Sequence, residues 1–308
     1  MNLFRHPTTW VFVDDESRFL DSLKEYLPSD QPALFFDDPS VAENELRAIS
    51  QRGVTKKLDS HFDIGSLQRF VTDIRRFSQV SVVIADYAMP GCTGIELFEI
   101  LSDLKIQKIL LTGVADESTA TLAFNAGTID RFIKKGERSA VEKILSYSRK
   151  LEDLWLSDHQ QTLNVGNDME DALRSNQFAG YFSSQCKQRG IVEYYFCDEP
   201  LGFLCLDVSG QQMFFALARE RDFMDCLELL RTTDCPAQII QTVEKREALT
   251  LLFETREVVE GYDWSYNTVE IVEVIPGELW GGFHHAPPID VDYDPSRHSF
   301  HALQSEGQ

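Results

Sequence analysis

The run Ser81-Val82-Val83-Ile84-Ala85-Asp86-Tyr87-Ala88-Met89-Pro90-Gly91-Cys92-Thr93-Gly94 decides the fold of the first half of the chain. Its opening residues are an apolar strand, and they end on a carboxylate followed by turn-forming residues. Working outward, the same pattern recurs: Trp10-Val11-Phe12-Val13 runs into Asp14-Asp15, Lys108-Ile109-Leu110-Leu111 into Thr112-Gly113, and Arg131-Phe132-Ile133 into Lys134-Lys135. A further strand is read at Ala33-Leu34-Phe35-Phe36, and helices near 16–27, 93–104, 116–126 and 138–156 separate the strands. Short apolar strands alternating with helices imply a doubly wound, five-stranded parallel sheet, whose ligands gather beyond the carboxyl ends of the strands. Three acids, a hydroxyl and an ammonium are therefore expected to meet at one rim, where a carboxylate at a strand exit can act as a nucleophile.

The chain has 308 residues, 43% of them hydrophobic, which is enough for two domains with a core each. No apolar stretch is long enough for a membrane helix, and the start Met1-Asn2-Leu3-Phe4-Arg5-His6 lacks the apolar core of a signal peptide, so a cytoplasmic location is expected. The six cysteines form no C-x-x-C pair, which argues against a zinc ribbon and for reduced, buried thiols. Net charge is −21, and residues 151–308 carry 10 basic against 28 acidic residues. Duplex binding draws on cations that displace condensed counterions, so the second half is poorly suited to DNA.

From residue 40 to 78 the chain is polar with scattered apolar residues, and two helices fit better than one. The last helix of the first half keeps an apolar stripe, Val141, Ile144, Leu145, Tyr147, Leu151, Leu154 and Trp155. Such a stripe either packs on the chain's own sheet and second domain or forms a homodimer surface. After a boundary near Asn164–Asp168 and a helix near 168–188, strands are expected at 193–196, 202–207, 212–217, 249–253 and 269–274. The second and third of these form a hairpin, and helices are expected near 219–232 and 236–247. The expected organisation is a doubly wound domain at 8–150 with an insertion at about 40–78, a helical linker at 151–168, an acidic α+β domain with antiparallel strands at 169–285, and an irregular tail at 286–308.

Taken together, Asp14-Asp15, Asp86 with Met89-Pro90-Gly91 and Gly94, Leu111-Thr112-Gly113, Asn125-Ala126-Gly127 and Phe132-Ile133-Lys134-Lys135 resemble the receiver domains of two-component response regulators over residues 8–150. The resemblance implies that Asp86 is the phosphoacceptor and that Mg²⁺ is held by Asp14, Asp15, Asp86 and the backbone carbonyl of Ala88. It further implies that Thr112 and one lysine hold phosphoryl oxygens, and that Phe132 is the switch aromatic. Lys135 is preferred over Lys134, because that choice places Phe132 at the aromatic position three residues earlier. Gly136 then stands where the family has proline, and the 71-residue separation of Asp86 from Asp15 exceeds a single strand-helix-strand crossover.

The implied partners are a sensor histidine kinase or phosphotransfer protein upstream and a protein target downstream. Nothing in 160–308 matches a helix-turn-helix. For the second domain three readings stay open: a protein-binding or dimerising output module, an enzyme in which Cys197 and His284-His285 would be nucleophile and base, and a small-ligand sensor lined by Tyr194, Tyr195, Phe196, Phe203, Phe214 and Phe215. No catalytic residue is assigned there, and no activity is expected beyond phosphotransfer to the chain's own aspartate.

Overall fold

The computed structural model describes residues 1–52, 64–113, 117–159, 167–251, 262–285 and 293–306. A two-residue strand, β1 (Phe4–Arg5), precedes β2 (Thr9–Val13), α1 (Ser17–Tyr26), β3 (Ala33–Phe36), α2 (Pro39–Arg52) and α3 (Ile64–Val71). A 3₁₀ turn (Ile74–Ser78) leads into β4 (Val80–Asp86), followed by α4 (Gly94–Ile100), β5 (Gln107–Thr112), α5 (Glu117–Asn125), β6 (Arg131–Lys134) and the long α6 (Ala140–His159).

Strands β3-β2-β4-β5-β6 form one parallel sheet in that order. Side chains alternate across it. Val11, Val13, Val83, Ala85 and Leu110 pack with Ala42, Leu46, Leu97, Phe98 and Ala120 on one face. Trp10, Phe12, Val82, Ile84, Ile109 and Leu111 pack with Leu20, Leu23, Ile144 and Leu151 on the other. Both faces are covered, which is why these strands read as continuous apolar runs rather than alternating ones. Chain order reverses between β2 and β4, so the crevice between their carboxyl ends is the switch point at which such sheets bind ligands.

The second body contains α7 (Asn167–Arg174), α8 (Asn176–Arg189), β7 (Ile191–Cys197), β8 (Gly202–Asp207), β9 (Gln212–Ala218), α9 (Glu220–Arg231), α10 (Ala237–Glu244), β10 (Ala248–Thr250), β11 (Thr268–Glu270), β12 (Val272–Ile275), β13 (Leu279–His284), α11 (Pro295–His298) and α12 (Phe300–Glu306). Its main sheet is antiparallel in the order β1-β7-β8-β9-β13-β12. The fold is therefore a doubly wound α/β domain joined to an α+β domain. Among the described residues no helix is long and apolar enough to cross a membrane.

Several expectations are corrected. The helix near 168–188 is two helices, because Ser175 leaves helical geometry and its hydroxyl caps α8 by accepting from the Phe178 N–H. The strand at 269–274 is likewise two: β11 pairs with β10, while β12 joins the main sheet. Trp280-Gly281-Gly282 is part of strand β13 and pairs with β9. Its glycines are required there, since a Cβ on Gly281 would lie 2.5 Å from the Phe215 ring and one on Gly282 2.0 Å from the Glu270 carbonyl oxygen. Within the expected irregular tail, residues 295–306 form α11, with Asp294 as cap and Pro295 in its first turn, and α12. Residues 286–292, Leu252 and Phe253 of the expected fourth strand, and the boundary residues Asn164–Gly166 lie outside the described residues.

Of the apolar stripe of α6, Ile144 and Leu151 pack on the parallel sheet and Trp155, with Leu156 beside it, joins the core of the second body, whereas Leu154 is exposed.

Candidate functional site

Except for Phe132, the second residue of β6, the expected site residues of the first domain stand at or just beyond a carboxyl end of the parallel sheet. Val13 ends β2 and delivers Asp14 and Asp15; Asp86 is the last residue of β4, Thr112 the last of β5, and Lys135 follows β6. Parallel register aligns these ends, with Val13 opposite Ala85, Asp86 opposite Leu111 and Thr112 opposite Lys134.

The turn after Asp86 is tightly determined. The Asp86 carboxylate accepts from the Ala88 N–H at 3.0 Å, and the Gly94 N–H donates to the Tyr87 carbonyl at 3.0 Å. A Cβ on Gly94 would sit 2.3 Å from the Asp86 carbonyl oxygen, so only glycine lets α4 begin this close to the carboxylate. Thr93 caps α4 through a reciprocal pair with Glu96.

Asp14 and Asp86 are 1% and 7% exposed, whereas Asp15 faces solvent. Carboxylate oxygens of the three lie within 4.8 Å of one another. Lys135 reaches between the two buried acids, its Nζ 2.6 Å from Asp14 Oδ2 and 2.7 Å from Asp86 Oδ1, and its ammonium lies 4.9 Å from the centre of the Phe19 ring. Burial pushes the Asp14 carboxyl above its ordinary value, and the hydrogen bonds from Lys135 and from the Glu16 N–H offset this only in part. Burial would lower the Lys135 ammonium, but its hydrogen bonds to Asp14 and Asp86 and the attraction of their charges together outweigh burial and hold it above the usual lysine range. Lys134 turns elsewhere, pairing with Glu117 at the start of α5 at 2.7 Å.

The Thr112 hydroxyl is fully buried and has no hydrogen-bond partner among the described residues. Leaving such a group unsatisfied costs about 1–3 kcal/mol, so it marks a place where an acceptor oxygen would be welcome. Phe132 is half-buried against the α5 side of the sheet, edge-on to Phe124 at 6.4 Å between centroids. Oxygen-only donors of this charge suit a hard divalent cation with waters completing its shell, and Ala88 is exposed at the same rim.

The nominated residues of the second body do not come together. Cys197 on β7 is level with Gly202, Ala216 and Gly282 across the sheet, so β13 and its His284 lie three strand spacings away, about 14 Å. Burial pushes the Cys197 thiol up to about 12, the opposite of an activated nucleophile. His284 Nε2 lies 2.6 Å from the Tyr266 carbonyl oxygen. Tyr195, Phe196, Phe203, Phe214 and Phe215 are buried in the core, with Tyr194 packed against it.

Residues that the sequence reading passed over cluster at the opposite, amino ends of β2 and β4. Arg76 and Glu193 are both fully buried and form a two-pronged ion pair, Nε to Oε2 at 2.8 Å and Nη2 to Oε1 at 3.0 Å. The Arg75-Arg76 pair carries no local signal for this, since Arg75 is exposed and pairs with Asp73.

No family model matches the chain. Over 101 residues it is 32% identical to the transcriptional regulatory protein FixJ of Rhizobium meliloti (strain 1021), a match that spans 32% of this chain and 46% of FixJ, less than half its length. Among solved structures, the response regulator LqsR of Legionella pneumophila aligns with a TM-score of 0.80 at 27% identity, covering 100% of this chain and 96% of LqsR.

Proposed function

The chain carries the receiver domain of a two-component response regulator, and from that premise we propose that Asp86 accepts a phosphoryl group from a histidine kinase or phosphotransfer protein. The observation that carries the reading is the grouping of Asp86 with two further carboxylates, a shared lysine and an unsatisfied buried hydroxyl. Asp14, Asp15, Asp86 and the Ala88 carbonyl would hold Mg²⁺, which when bound neutralises the charge that builds up between acids and phosphate. Lys135 is the phosphate-binding cation in this reading, because it already bridges Asp14 and Asp86 whereas Lys134 is engaged by Glu117. Lys135 then holds one phosphoryl oxygen as a point charge, and Thr112 donates to another, satisfying its hydroxyl for the first time. Movement of Thr112 toward the phosphoryl group opens space into which Phe132 turns, and this changes the face built by α5 and β6.

The second domain acts in this proposal through protein contacts, as a heterologous docking surface or in a homodimer. The 10 basic against 28 acidic residues of 151–308 support that over DNA. The separation of Cys197 from His284 removes the motive for an enzymatic reading of that pair.

Incubation with Mg²⁺ and acetyl phosphate, followed by intact mass, tests the proposal. The wild type is expected to gain one base-labile phosphoryl adduct that Asp86→Asn lacks, and an unmodified wild type would refute it.

A further inference from the structure

The residues that lengthen the crossover between β3 and β4 read in the sequence as an insertion within the first domain. The structure places their described portion elsewhere. Leu67, Phe70 and Val71 of α3 belong to the same buried cluster as Phe178, Phe196, Phe203 and Phe215. Phe70 meets the Tyr195 ring edge-on at 5.6 Å, and Phe77 meets Phe300 of α12 at 5.5 Å. Between these contacts Arg76 runs into the second body, where one Glu193 oxygen also accepts from the Tyr195 hydroxyl at 2.7 Å and the guanidinium donates to the His298 carbonyl at 2.8 Å. A buried guanidinium is tolerated only when countered and hydrogen-bonded in this way.

The amino terminus does the same from its own side. Phe4 and Arg5 pair with Tyr195 and Tyr194 as the edge strand of the antiparallel sheet, the Phe196 N–H donates to the Leu3 carbonyl at 2.8 Å, and Arg5 pairs with the buried Glu152 of α6 at 3.0 Å. Three residues later Thr8 donates to that same Glu152 at 2.6 Å, and the next residue opens β2. The two strands that deliver Asp14 and Asp86 therefore both start in the second domain's packing. The phosphorylation rim lies at their other ends, about 15–20 Å away at strand rise.

We infer that residues 1–6 and 64–78 are structural parts of the second domain. With the Arg76–Glu193 clamp they bind it to the amino ends of β2 and β4, so that a phosphoryl group on Asp86 acts on one cooperative body rather than releasing a separate module. The chain's own second domain, not an outside protein, is the partner of the 64–78 surface. The linkage half of this inference rests on the phosphoacceptor reading above; the cooperative-body half stands without it.

The test uses the full chain. Pulsed hydrogen exchange read by mass spectrometry across a urea series gives separate unfolding midpoints for peptides covering 80–112 and 202–218. Coincident midpoints are expected, and distinct midpoints overturn the inference whatever any ligand does. Adding Mg²⁺ with beryllofluoride, a phosphoryl mimic, is expected to raise both midpoints together; a rise confined to 80–112 shows that any coincidence was chance and overturns it. If neither midpoint moves, the phosphoacceptor reading fails, and the ligand-free midpoints still decide the clamp. Glu193→Gln is expected to lower both midpoints equally, and should that variant not fold, the wild-type comparison remains decisive.

Discussion

The two ends of the parallel sheet treat buried charge in opposite ways. At the carboxyl ends one lysine is shared by two carboxylates, a third acid stands in solvent, and the Thr112 hydroxyl has no partner among the described residues. At the amino ends Arg76 and Glu193 are excluded from water and their hydrogen bonds are met by each other, by Tyr195 and by the His298 carbonyl. The unpaired hydroxyl marks a place prepared for an incoming group, and the fully hydrogen-bonded ion pair marks a joint, although the neighbouring His6 Nδ1 has no partner among the described residues. Sequence alone does not separate the two, since both are acid–base pairings of residues far apart in the chain.

The comparison breaks most visibly at the joint. Glu193→Gln leaves a buried guanidinium uncompensated and is expected to cost about 3–5 kcal/mol in urea unfolding, whereas Arg76→Met combined with Glu193→Leu recovers most of that loss. At the rim the sensitivities reverse. Lys135→Met is expected to change stability little but to slow acetyl-phosphate labelling on the order of 100-fold, as loss of one preorganised charge contact does, while Lys134→Met changes it by about twofold or less.

A third expectation concerns His6, which lies at the joint with its Nε2 3.0 Å from Gln79 Oε1 and its ring 5.3 Å from that of Phe70. Burial first, then the cationic Arg76, with Arg5 and His159 adding to it, pushes His6 from 6.5 down to about 3, against the opposing hydrogen bond to Gln79. Its folded value is depressed, so between those values the unfolded chain binds a proton that the folded chain refuses. Stability is thus full above 6.5 and falls as pH drops through the window. Lowering pH from 7 to 5 should cost about 2 kcal/mol, and His6→Gln should flatten the slope. The smallest effect returns to the rim: Thr112→Val removes an unpaired buried hydroxyl and should stabilise the unphosphorylated chain by about 1 kcal/mol, read as a higher urea midpoint, while weakening its response to phosphorylation.

The strand ends of the receiver domain were legible because each buried parallel strand is an apolar run that stops on a charged or hydroxyl residue. The choice between Lys134 and Lys135 was not legible from residue type; only the structure puts one beside Asp14 and the other beside Glu117. The joint was invisible for a different reason. It is assembled from residues 4–5, 76–77, 152, 193–195 and 298–300; α6 and β7 were legible, but the pieces that meet them are a two-residue strand, a five-residue 3₁₀ turn and two short helices that carry no periodicity. β13 was missed because its adjacent glycines weaken a strand signal, although Phe215 and Glu270 leave room for nothing larger.

The most direct test of the central claim is to locate the phosphoryl group. Borohydride reduction of the acetyl-phosphate-treated chain converts an aspartyl phosphate to homoserine, which peptide mass spectrometry assigns to a position. The account predicts homoserine at position 86 and nowhere else, dependent on Mg²⁺. Homoserine at Asp14, Asp15 or another carboxylate, or none in a chain that remains folded, would contradict it.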